Sequence, residues 1–225
     1  MTTAVLLSGG LDSAVLLAEE SAHGDVQPIY VSVGLAWEAA ERDAVARLLE
    51  EAALSSARAL VSLSVDMHDV YDATHWAVAG RPPAYHTPDE DVYLAGRNIV
   101  LLGKAGVFCA SAGIERIVIG TLDHNPFPDA TPAFRAAMAS ALSLGLAHRL
   151  DIDAPYACLG KADVIRRGVA AHVPLDVTLS CMSPARRRSR ILHCGGCSKC
   201  RERHDAFLEA GVSDPTDYDD RAYTS

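Results

Sequence analysis

Ala4-Val5-Leu6-Leu7-Ser8-Gly9-Gly10-Leu11-Asp12-Ser13 decides how the rest of the chain is read, because an apolar run enters a glycine pair and a helical pattern leaves it. A strand that turns on two glycines into a helix brings several backbone N–H groups to one point, where the unpaired amides and positive dipole end of the helix favour an anion. Ser8 and Ser13 add hydroxyl groups, and the whole forms a cradle for phosphate. The Gly-Lys-Ser/Thr close of a Walker A loop is missing, so the loop is not built to cleave a terminal phosphate in the P-loop manner. A plain tight turn at Gly9 and Gly10 is the competing reading.

Outward from this loop, strand and helix signals alternate, which predicts an α/β fold with a doubly wound, mostly parallel sheet. Strands are expected near 3–8, 27–33, 59–65, 115–120 and 148–153, and helices near 12–22, 37–54, 97–112, 132–147, 161–171 and 199–210, with apolar residues recurring every three or four positions. Thr131-Pro132 reads as an N-cap and first turn, and Gly113 and Gly211 read as helix stops. Residues 66–95 carry His, Pro, Asp and Tyr without a period and read as a long irregular excursion near the active site. The expected organisation is a nucleotide-binding α/β domain over 1–175, with a small C-terminal helical region over 176–225 packed on it.

At 225 residues, 49% of them hydrophobic, the chain can bury a sizeable core. No apolar run reaches the ~20 residues that span a bilayer, and no signal-type segment is visible, so a cytoplasmic protein is expected. A net charge of −9 argues against extensive contact with nucleic acid. The run Ala185-Arg186-Arg187-Arg188-Ser189-Arg190 either offers cations to a phosphate or is a solvated loop. His75, His86, His124, His148 and His204 are scattered, and none is assigned to a metal.

Cys109 and Cys158 lie in apolar or turn-flanked stretches and read as buried small hydrophobes. Cys181, Cys194, Cys197 and Cys200 follow a C-x12-C-x2-C-x2-C spacing that can close a tetrahedron round one Zn²⁺, with Gly195 and Gly196 freeing the turn. Disulfides are the rival, disfavoured in a reducing compartment. Four thiolates leave no open coordination position, so the zinc would be structural.

The Ser8–Ser13 turn resembles the PP-loop of ATP pyrophosphatases, which attack an α-phosphate and release pyrophosphate. Together with LAGRNIVLL (94–102), FPDATPAF (127–134), LGKADVIRRG (159–168), LSC (179–181) and HCGGCSKCRERHDAFLEAGVSDPTDY (193–218), it resembles the 7-cyano-7-deazaguanine synthase family over nearly the full length. The resemblance implies an ATP-dependent ligase that adenylates 7-carboxy-7-deazaguanine and, with ammonia, converts it through the amide to the nitrile. It implies that Ser8, Gly9, Gly10, Leu11, Asp12, Ser13 and Lys161 hold the ATP phosphates, that Lys161, Arg97 and Asp12 are catalytic with Asp12 helping to position Mg²⁺, and that Arg97, Asn98, Phe127 and Asp129 bind the deazapurine. A structural Zn²⁺ and a homodimer are implied as well. A solvated lysine at a helix start and a plain surface ion pair are the alternatives for Lys161 and Arg97. The chain departs from the family at Val33-Gly34-Leu35-Ala36-Trp37-Glu38, where a Gly-Gln-Arg/Lys-His pattern is usual, and at Thr121–Pro126 before FPD. Those departures leave open a paralogue that adenylates a different acceptor, such as another carboxylate, a protein terminus or a tRNA base.

Overall fold

A computed structural model describes residues 2–188 and 190–220. Alternation along β1 (Thr3–Leu6) sends Ala4 to one face and Val5 to the other, and both are fully buried, as expected of a central parallel strand covered on two sides. β2 (Val26–Ser32) and β3 (Val61–Ser64) pair outward on one side, and β4 (Arg116–Val118) and β5 (Asp151–Asp153) on the other. The five strands are all parallel in the order β3-β2-β1-β4-β5.

On one face Val5, Leu7 and Val118 pack with Leu11 and Val15 of α1 (Leu11–His23), Val164 and Ile165 of α6 (Lys161–Ala170), and Phe207 of α7 (Ser198–Ala210). Gly168 lets α6 approach α1 closely, since a Cβ there would lie 2.8 Å from Val15 Cγ2. On the other face Ala4, Ile29 and Ile117 meet Leu102, Ala105 and Cys109 of α4 (Arg97–Ala112), with Met138 and Leu142 of α5 (Pro132–Leu146) packed behind. Cys181, Cys197 and Cys200 join this second core, so residues beyond 175 complete both layers. Among the described residues no helix is long and apolar enough to cross a membrane.

The predicted helix over 97–112 is found as Arg97–Ala112, and the one over 37–54 ends early: α2 runs Glu38–Glu50, and a single 3₁₀ turn, Ala52–Leu54, follows. Residues 66–95 contain the short α3 (Trp76–Ala79) and a 3₁₀ turn at Asp89–Val92, and they bury Tyr71, Ala77, Val92 and Leu94 in the core. The arginine run forms a β-hairpin, β6 (Ala185–Arg187) with β7 (Arg190–Leu192), a pairing not expected from sequence. Arg186 pairs with Asp43, Arg187 with Asp219 at 2.8 Å, and Arg190 with Asp217, so these three cations are answered by carboxylates on the same surface.

The strand order turns about β1: the chain winds outward through β2 and β3, then returns to add β4 on the opposite side. Ligand crevices form at such a switch point, beyond the carboxyl ends of the strands.

Candidate active site

The Ser8–Ser13 loop sits at that switch point. Gly9 takes a left-handed φ of 79°, and a Cβ on it would lie 3.1 Å from the Glu41 carbonyl oxygen and from Val45 Cγ2. Gly10, the N-cap of α1, has φ −74° and ψ 162°, a conformation open to any residue. The demand for glycine therefore falls on Gly9. Ser13 Oγ donates to the Gly10 carbonyl at 3.0 Å and lies 3.3 Å from both the Ser8 amide nitrogen and Ser8 Oγ, which fixes the loop from within. The Leu179 amide donates to the Gly9 carbonyl at 2.8 Å and ties the loop to the segment leading to Cys181.

The loop opens into a cleft of two adjoining lobes, about 790 and 1190 Å³ counted to their open mouths. Ser8, Gly10, Asp12, Glu41, Arg97 and Gly120 line both lobes.

Lys161 opens α6, where the helix dipole disfavours a cation. Two carboxylates offset this: Lys161 Nζ lies 3.2 Å from Asp12 Oδ2 and donates to Glu202 Oε1. Burial lowers the Lys161 pKa, but Asp12 and Glu202 outweigh it and the net shift is upward, so the residue stays an ammonium. It is not a solvated surface lysine: its side chain is 17% exposed. Burial raises the pKa of Asp12 against the pull of Lys161, and Asp12 Oδ1 is buried with no hydrogen-bond partner among the described residues. Burial likewise works against ionised Glu202, yet Lys161 and Lys199 hold it down to about 2.

Arg97 follows the left-handed Gly96 at the start of α4, and its Nε is buried without a partner among the described residues. Glu41 stands across the cleft, accepting from Tyr30 Oη and Trp37 Nε1 at 3.0 Å each, with burial pushing its carboxyl up against the opposing charge of Arg97. Trp37 stacks on Trp76 at 5.9 Å and both line the second lobe, as does Phe127, which is backed by Tyr93 at 5.2 Å.

Asn98 and Asp129 meet, but not in the lobes' lining as a pair. Asp129 is 4% exposed, its Oδ2 accepts the Asn98 amide at 3.0 Å, and its carbonyl accepts from Asn98 Nδ2 at 3.0 Å. Asn98 lines the first lobe and Phe127 the second, whereas Asp129 lines neither. Asp129 thus holds the first turn of α4, which carries Arg97. Asp129→Ala is expected to lower stability by about 2 kcal/mol, the cost of an unpaired buried amide that had bonded a carboxylate. Thermal denaturation should show this as a fall of roughly 4–8 °C for a chain of this size.

The four cysteines bring their sulfurs within 4.8 Å of one another. Cys197 lies 3.5 Å from Cys200 and 4.0 Å from Cys181, and Cys194 lies 3.8 Å from Cys200. A tetrahedron of thiolates about 2.3 Å from zinc requires sulfur separations of about 3.8 Å, so the cluster has the size of a zinc site and none of these contacts has the length of a disulfide. The Ser183 and Cys194 amides point at Cys181 Sγ (3.3 and 3.2 Å), and the Gly196 amide at Cys194 Sγ (3.4 Å). Of the other two thiols, Cys109 is buried as expected, which pushes it up to about 12 and makes it unreactive, whereas Cys158, expected to be buried, is exposed in the turn between β5 and α6.

Sequence reasoning did not reach Glu41, Trp76, Lys199 or Glu202. Lys199 and Glu202 form an i,i+3 pair on α7, a pattern normally read as solvated, and nothing local tells that α7 turns this pair into the same lobe as Ser8 and Gly10.

The described family "Queuosine biosynthesis protein QueC" matches residues 2–211. The chain belongs to this family. Relatives described as 7-cyano-7-deazaguanine synthase include those of Anaeromyxobacter dehalogenans (35% identical, covering 95% of this chain and 94% of that protein) and Methanopyrus kandleri (33%, 96% and 98%). A third, from an Azoarcus species, is 34% identical over 96% of both chains. A solved structure described as a predicted subunit of tRNA methyltransferase from Methanocaldococcus jannaschii aligns with 95% of this chain and 89% of its own at 14% identity and a TM-score of 0.48, too slight a likeness to bear on function. The matched residues include the Ser8–Ser13 loop, Lys161, Lys199 and Glu202, and all four clustered cysteines.

Proposed function

We propose that this protein is a 7-cyano-7-deazaguanine synthase: an ATP-dependent ligase that activates 7-carboxy-7-deazaguanine and carries it, with ammonia, to the nitrile. The observation that carries the reading is the meeting of the Ser8–Ser13 loop with Lys161 in one cleft of a chain that matches the family over residues 2–211.

The chemistry divides into two activations. A carboxylate oxygen attacks the α-phosphorus of ATP, the bond to the β-phosphate oxygen breaks and pyrophosphate leaves. Ammonia then attacks the acyl carbon, AMP leaves, and a proton is lost to give the amide. Adenylation of the amide oxygen by a second ATP, followed by loss of AMP and of the nitrogen's protons, gives the nitrile. The loop amides and Lys161 suit the negative charge of the departing pyrophosphate, and Arg97 suits the carboxylate or phosphate held between the lobes. The orphaned Asp12 Oδ1 fits a Mg²⁺ ligand, and the ion would supply further neutralisation of the phosphates. Zn²⁺ on the four cysteines would serve folding only, having no open position. A homodimer suits the exposed Ile99 and Val107 of α4 and Leu144 of α5, and sedimentation velocity tests it.

One observation favours a second reading, a relative that activates another acceptor: Asp129, the carboxylate assigned to a guanine-like edge, is engaged by α4 instead. The test is a mass-spectrometric assay with ATP, Mg²⁺, an ammonium salt and 7-carboxy-7-deazaguanine. AMP together with amide and then nitrile is the expected result. ATP binding with an unchanged deazapurine overturns the substrate assignment in favour of the second reading, and absence of ATP binding overturns both.

A further inference from the structure

We propose that Lys199, carried by the four-cysteine knuckle, is a second cation of the polyphosphate subsite, and that Glu202 holds Lys199 and Lys161 in place until a phosphate chain takes over the contact. The inference rests on the ATP reading above and adds residues to it.

Helix α7 starts at Ser198, inside the turn between Cys197 and Cys200. The turn that aims the thiols therefore also fixes where Lys199 begins. Its Nζ donates to Glu202 Oε2 at 2.5 Å, while Lys161 donates to Oε1 of the same carboxylate. One carboxylate thus holds an ammonium on each oxygen, the arrangement two neighbouring phosphoryl oxygens can replace. Lys161, Lys199 and Glu202 all line the second lobe with Ser8 and Gly10, and they remain 17%, 27% and 21% exposed, so a ligand in the lobe can reach them.

A purely structural role accounts poorly for this cluster. A lysine–glutamate pair three residues apart is worth only about 0.2–0.5 kcal/mol on an open helix, and partial burial adds a desolvation cost. Two ammonium groups on one carboxylate also repel each other, a repulsion that Asp12, 3.2 Å from Lys161, offsets in part. A polyanion between them removes that repulsion. Of the other acids of the lobe, Asp89 pairs with Arg201 at 3.2 Å, Asp123 lies 3.2 Å from His124, Glu41 accepts from Tyr30 and Trp37, and Asp12 shares Lys161 with Glu202.

The test is titration calorimetry of inorganic pyrophosphate, without Mg²⁺, into the full zinc-loaded chain, with zinc content measured on each variant. Lys199→Gln should weaken binding by about tenfold, Lys199→Arg should stay close to wild type, and Glu202→Gln should bind more tightly because the competing anion is gone. Wild-type affinity in Lys199→Gln, or binding in Glu202→Gln no tighter than wild type, overturns the inference and leaves the ATP reading intact. Failure of wild type itself to bind pyrophosphate overturns the inference, and the mass-spectrometric assay with ATP and Mg²⁺ then decides the ATP reading separately. Should Lys199→Gln lose zinc, the comparison of Lys199→Arg with Glu202→Gln still decides, since a structural pair would make both variants neutral or weaker.

Discussion

Gly9→Val is expected to lower ATP-dependent AMP formation by on the order of 10²-fold or more, the scale of loss when a positioning element shifts by about an ångström. The left-handed φ of 79° is poorly accessible to a β-branched residue, and the added carbon atoms would start 3.1 Å from the Glu41 carbonyl and from Val45 Cγ2. The loop has nowhere to move, because Gly9 is pinned on its other side by the Leu179 amide. Gly10→Ala is the contrast. Its φ of −74° suits alanine, and the new Cβ would meet the movable Ser8 hydroxyl at 3.3 Å and the Leu179 carbonyl at an ordinary contact distance of 3.6 Å. That variant should keep most of the activity, within about tenfold of wild type. Steady-state assays with circular dichroism on both variants check the pair, and equal losses would remove the distinction between the two glycines.

The pair also shows how far the sequence could be read. Two adjacent glycines between an apolar run and a helix announce a loop, but only the fold, through Glu41 and Val45 of α2 packed behind Gly9, tells which one cannot change. Helix α4 was legible because its apolar positions, Leu102, Ala105 and Cys109, repeat at helical spacing up to a terminating Gly113. The four cysteines were legible for a similar reason, since three lie within one turn and report local geometry. Glu41, Lys199 and Glu202 were not. Each is a charged residue on an otherwise ordinary helix, and it becomes part of the cleft only because parallel winding sets α2, α6 and α7 round the end of β1. For Asp129 the motif pointed to a ligand, while the fold shows a contact the sequence does not announce: the buried turn at Pro128–Ala130 brings its carboxylate to the Asn98 amide at the start of α4.

Cys197→Ser is expected to abolish stoichiometric zinc binding and to lower the melting temperature by on the order of 10 °C, the equivalent of about 4 kcal/mol for a chain of this size. A hydroxyl is a poor substitute for thiolate in a tetrahedral sulfur site, and metal affinity here is folding free energy. Cys197 is 1% exposed and Cys200 is fully buried, so an unfilled cluster would leave several sulfurs crowded in the core. The loss should spread beyond the knuckle. Cys197 begins α7, whose Arg201 donates to the Tyr85 and Thr87 carbonyls at 3.0 and 3.1 Å, and whose buried Arg203 bonds Thr216, Thr178 and the Leu175 carbonyl at 2.6, 2.8 and 2.7 Å. Freeing the start of α7 therefore loosens one wall of the cleft and the segment that reaches Gly9. Cys158→Ser is the matching control, because that thiol is exposed and outside the cluster, and it should change neither metal content nor melting temperature. Elemental analysis and calorimetry on the two variants separate the cases: one zinc per chain retained in Cys197→Ser would refute the ligand set, whereas joint loss of zinc and stability there, with none in Cys158→Ser, ties the metal to the packing that holds the active-site cleft together.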